Sequence, residues 1–222
     1  MCDVSKCKTM EDLFTRWKEA QKNDDKTNCD TRNISKESFA PDGIICDEKY
    51  WQEEKKILFI SKESNLTPPT GNPKVCADGV HFWLKDILLS GENHAETGSG
   101  TRYINGLAVI CNAILNVNNT TADKDWTNLK KCAYINLNKR GGYSSCDDNA
   151  LTKYVDHFKC FLKKQIDLIQ PSIIVCCGDT VFKMVRDILD IKDDRVKITY
   201  HPSCRKSYQN RISDFKKKNK TS

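Results

Sequence analysis

The chain has 222 residues, with 36 Lys and Arg against 30 Asp and Glu, for a net charge of +6. Hydrophobic residues at 38% supply a core and exclude a disordered chain, while the mild basic excess permits a polyanionic partner. No apolar run reaches the roughly 18 residues of a membrane span, MCDVSKCKTMEDLF lacks the apolar stretch of a secretory leader, and no repeat period divides the sequence.

Residues 10–22 place Met10, Leu13, Phe14 and Trp17 at helical spacing. A polar stretch leads to the first strong strand, Ile57-Leu58-Phe59-Ile60, whose unbroken apolar character predicts burial on both faces, as in a parallel sheet. It runs into Ser61-Lys62-Glu63-Ser64-Asn65 and a Pro- and Gly-containing loop. Helices are predicted over 79–90 and 102–115, the second with Ile104, Leu107, Ala108, Cys111, Ile114 and Leu115 on one stripe. The second strand is predicted over 132–137, and the next helix over 150–169, capped by Asp148 or Asn149 and ended by Pro171. A third strand over 172–177 gives way at Gly178 to a helix over 179–189, and a fourth over 196–200 runs into His201-Pro202-Ser203.

Strands alternating with helices predict an α/β fold, a three-layer α/β/α sandwich on a four-stranded parallel sheet in the order 2-1-3-4. One domain is expected over 1–222, with its core at about 55–206, an N-terminal helical extension 1–54 and a basic C-terminal tail 207–222. The tail lysines Lys216, Lys217, Lys218 and Lys220 read either as a solvated end or as phosphate contacts. A cytoplasmic monomer with no membrane attachment is expected.

Twelve cysteines occur without a Cys-x-x-Cys, and Cys111, Cys132, Cys176 and Cys177 lie within apolar runs, as small buried hydrophobes of a reducing compartment do. No metal and no cofactor are expected.

In parallel α/β sheets the ligand crevice lies beyond the carboxyl ends of the strands. Polar groups stand at three of those ends: Glu63 and Asn65, Asn136, and His201 with Ser203. Each has an ordinary explanation alone. A glutamate after a strand is usually solvated, a buried asparagine can satisfy a loop backbone, and a histidine can be held structurally. Their convergence on one sheet edge is what points to chemistry.

The ordered set of segments ILFISKESN, GVHFWLKDILLSG, YINLNK, HFKCFLKKQIDLIQPSIIVCCGDTVFKMV and TYHPSCR resembles the uracil-DNA glycosylase superfamily over roughly residues 55–206, closest to its iron–sulfur and mismatch-specific branches. The first motif departs: the loop after the first strand has no glycine and no proline, and Glu63 stands where other branches place the residue that holds the attacking water. The family's cluster cysteines do not transfer; a cluster on Cys2, Cys7, Cys146 and Cys160 is the minority alternative to no cofactor.

The resemblance implies a monofunctional DNA glycosylase that flips a base, uracil by default, and hydrolyses its N-glycosidic bond. It implies Glu63 and His201 as catalytic residues and Asn136, Phe82 and Asn65 as base contacts; Trp83 is the alternative ring for stacking on the base, with core packing its ordinary role. Ser203, Arg205 and Lys62 would contact DNA. The alternatives are a glycosylase for another modified base, for example a modified cytosine in viral DNA, and a catalytically silent DNA-binding module on the same fold.

Overall fold

The computed structural model describes residues 3–27, 38–65, 83–90, 99–115, 124–142 and 146–219. Phe82 and Cys2 lie outside them, and so does the side chain of Asn65. Five strands form one sheet: β1 (Gly43–Ile44), β2 (Ile57–Asn65), β3 (Cys132–Gly142), β4 (Ile173–Cys177) and β5 (Val196–Thr199). Their order is β1-β3-β2-β4-β5, with β3, β2, β4 and β5 parallel and β1 antiparallel on the outer side of β3. The four predicted strands therefore sit in the predicted order, and the expectation of a four-stranded, wholly parallel sheet is corrected by one edge strand. A two-residue strand carries no alternation from which to read it.

The sheet is covered on both sides. On one side lie α1 (Met10–Lys22), α5 (Asp148–Ile169) and α6 (Asp179–Asp187), packed on Leu58, Ile60, Ala133, Ile135, Ile174 and Cys176. On the other lie α3 (Trp83–Ser90) and α4 (Ser99–Ile114), packed on Ile57, Phe59, Cys132, Tyr134, Val175 and Cys177. Successive strand residues thus enter opposite cores, which is why the strands read as unbroken apolar runs.

The N-terminal segment is integral to the domain, not an appendage. Thr9 caps α1 by accepting the Asp12 N–H at 3.1 Å, and Trp17 is fully buried, stacked on Phe161 of α5 with ring centres 5.2 Å apart. A short helix, α2 (Asp47–Gln52), buries Tyr50, whose hydroxyl donates to the Ile169 carbonyl at 3.1 Å. Asp147, one residue earlier than expected, caps α5 by accepting from the N–H groups of Asn149 and Ala150. The helix stops at Gln170, in the left-handed region at φ 51°, just before Pro171.

Most of the expected tail is a helix, α7 (Tyr208–Lys218), because Ser207 caps it and Arg211 and Phe215 fall one turn apart on its inner face. At its end the Asn219 side chain accepts from the Ile198 N–H and donates to the Ile198 carbonyl, both at 2.8 Å, along the outer side of β5.

Candidate functional site

Alternation along β2 and β3 decides what reaches the carboxyl-end crevice. Tyr134, Asn136 and Asn138 share the face of β3 turned toward α4, and Ser61 and Glu63 share that face of β2, in register with Asn136 and Asn138. Lys62 points the other way and meets Asp148 at the start of α5 at 2.6 Å.

Asn136 is buried. The Tyr134 hydroxyl donates to its Oδ1 at 3.0 Å; the Tyr134 and Tyr103 hydroxyls lie 2.9 Å apart, and Tyr103 and Ser61 Oγ 2.5 Å apart. A hydroxyl has one proton to give. Tyr134 spends its proton on Asn136, so the proton between the tyrosines belongs to Tyr103, and the one between Tyr103 and Ser61 belongs to Ser61. The chain therefore runs one way, Ser61 to Tyr103 to Tyr134 to Asn136. Burial pushes the pKa of both phenols up, most strongly for Tyr103, so both keep the protons this sequence needs.

His201 follows β5 and sets its ring edge-on to Tyr103, 5.5 Å between centres. Its Nδ1 accepts the Ser203 N–H at 3.2 Å, so in the neutral ring the proton is on Nε2. The ring keeps contact with solvent, yet surrounding protein, and then the cations Lys62 and Arg211, lower its pKa. The tyrosine pair thus joins Asn136 to His201, and Trp83 packs edge-on to both tyrosines at 5.8 and 6.1 Å, the core role expected of it.

Glu63 is half-buried beside this group and accepts from Asn138 Nδ2 at 3.0 Å. It adjoins Cys146, whose thiol is pushed up to about 12 by burial and then by the Glu63 charge.

The loop after His201 is held by Arg211, a buried residue within the segment expected to be a tail. Its guanidinium donates to the carbonyls of Pro202 at 2.5 Å, Lys206 at 3.2 Å and Cys204. Its one-turn spacing from Phe215 was the available signal. Beside the loop opens a groove of about 530 Å³ lined by Arg102, Cys204, Arg205, Lys206, Ser207 and Tyr208, with Arg211 at its base. Arg102 and Arg205 are exposed there, and Lys206 is bound to Asp214 at 2.8 Å.

The structure brings together Asn136, His201 and Ser203, with Glu63 alongside and Arg205 in the neighbouring groove. It engages Lys62 with α5. Asn65 closes β2 opposite Gly142, and Phe82 falls outside the described residues. Cys7, Cys146 and Cys160 are free thiols, and among the described residues no group of three His, Cys, Asp or Glu is arranged to hold a metal ion. No helix among them is long and apolar enough to cross a membrane. No model of a known protein family matches the chain, and no curated protein and no solved structure matches it.

Proposed function

We propose that the protein is a monofunctional DNA glycosylase that takes a flipped nucleotide into the crevice at the carboxyl ends of β2, β3 and β5. The observation that carries this reading is the linkage of Asn136 to His201 through the Tyr103–Tyr134 pair, at the end of a parallel sheet where such folds bind ligands.

Asn136, its amide oriented by the Tyr134 hydroxyl, hydrogen-bonds the edge of the base. Cleavage leaves negative charge on the departing base, and the Nε2–H of neutral His201 donates to the oxygen where it accumulates. Glu63 orients a water toward the anomeric carbon and takes its proton as the new C–O bond forms and the C–N electrons leave with the base. Ser203 and the groove cations Arg102 and Arg205 hold backbone phosphates. Uracil is the base favoured by the resemblance of YINLNK and TYHPSCR to the uracil-DNA glycosylases. A different modified base is the second reading, favoured by Glu63, which stands near the end of β2 in a motif without the family's glycine and proline and is held by Asn138.

The test is a panel of single- and double-stranded oligonucleotides, each carrying one altered base, followed by alkaline cleavage of abasic sites. Cleavage at one base, slowed in both Asn136→Ala and His201→Ala, supports the proposal. Absence of abasic sites from every substrate overturns it.

A further inference from the structure

Pro41 stands at a position where the sheet needs a donor. The Ile45 N–H donates to the Cys132 carbonyl, and Gly43 pairs with Tyr134, so the antiparallel register puts Pro41 opposite Asn136 at the next hydrogen-bonded position. Proline has no N–H, and the chain departs from the ladder there, the Ala40 N–H reaching ahead to the Lys139 carbonyl at 2.6 Å. Two charged side chains fill the gap. Asp42 Oδ2 accepts the Asn136 N–H at 2.7 Å, and Lys139 Nζ donates to the Asn136 carbonyl at 2.8 Å. The two close on each other at 2.5 Å, and Gln165 donates to Asp42 at 2.8 Å. Lys139 and Asp42 are 0% and 1% exposed, so both ions are taken out of water.

A buried ion pair is a costly substitute for two backbone hydrogen bonds, and apolar residues of similar volume are often as stable. What this pair supplies is geometry. Both backbone polar groups of Asn136 are gripped from outside the sheet, while its side-chain oxygen is held by Tyr134 from within. We infer that Asp42 and Lys139 are positioning residues that set the depth and rotation of Asn136 and so determine base discrimination. This rests on Asn136 reading the base.

The experiment compares single-turnover excision of the preferred base with that of its nearest analogue, the panel having identified both. Asp42→Ala/Lys139→Met removes both grips and leaves no unpaired buried charge. Asp42→Asn/Lys139→Gln keeps a neutral acceptor and donor. The first variant is expected to lose about 10-fold or more of the discrimination ratio with unchanged DNA affinity, and the second to restore most of it. A first variant that melts at lower temperature but keeps the wild-type ratio overturns the inference. If it gives no cooperative melt, Asp42→Asn/Lys139→Met, which drops only the donor to the Asn136 carbonyl, is measured instead, and a wild-type ratio there overturns the inference equally. Asn136→Ala separates the two levels. If its ratio is unchanged, the reading of Asn136 fails and takes the inference with it. If its ratio collapses while those of the Asp42/Lys139 variants hold, only the inference fails.

Discussion

A side chain on Gly106 of α4 would collide with Pro202: its Cβ would lie 2.2 Å from the Pro202 carbonyl oxygen and 2.6 Å from an Arg211 nitrogen. The helix and the loop after His201 are thus in backbone contact. Gly106→Ala is expected to push that loop away, costing about 1–3 kcal/mol of stability as overpacking does. It should also lower the excision rate by displacing His201. Denaturant melts and single-turnover rates check both effects.

Arg211 grips the other side of the same loop. Arg211→Ala strands the buried Pro202 carbonyl and two part-buried ones, and is expected to cost about 3 kcal/mol. Arg211→Lys should recover only part, since one ammonium cannot span the three carbonyls that the planar guanidinium reaches. Equilibrium unfolding of the two variants is the measurement.

His201→Ala should lower single-turnover excision by on the order of 100-fold with DNA binding retained, the usual cost of losing one donor to a developing oxyanion. Because the histidine pKa is lowered in the folded protein, the ring is neutral at and above its ordinary value. Wild-type activity should therefore hold at neutral pH and fall only as pH drops through the lowered value. Lys62→Ala removes one of the cations lowering that pKa, so the acid limb of its rate profile should move to higher pH while the plateau stays. An unmoved acid limb counts against His201 as the titrating group.

Glu63→Gln keeps size and removes charge. It is expected to lose about 100-fold in the chemical step while still retaining the base. Lys62 is turned to Asp148, whereas Glu63 accepts from Asn138. A wild-type rate in Glu63→Gln removes the carboxylate from the reaction.

Phosphate contacts register in salt dependence. Replacing Arg102 and Arg205 together by Gln should flatten the log–log salt slope of duplex binding by about two, roughly one per phosphate, with the saturated rate little changed. Lys216→Gln/Lys217→Gln, on the exposed face of α7, asks the same of the helix that replaces the expected tail.

The parallel layers were readable because β2, β3 and β4 each open on a run apolar on both faces and each long helix carries one apolar stripe. Asn136 stood out for the same reason, as an amide inside an apolar run. What lay beyond reading depends on residues distant in sequence. Nothing local in Tyr103 announces Ser61 or Tyr134 as partners. Nothing local marks Asp42 and Lys139 as a buried pair; their partnership follows from Pro41, which falls opposite Asn136 just before β1. Arg211 was hidden by its neighbours, because a lysine-rich end looks solvated until its helical register is known.

The Asn219 amide, laid along β5, has a consequence for association. An exposed strand rim invites the strand of another molecule. Here the Asn219 side chain occupies the N–H and carbonyl of Ile198 as a further strand would, and the opposite rim is a strand of two residues. Asn219→Ala would uncover a pairing template on β5, and accelerated self-association at high protein concentration would be its signature.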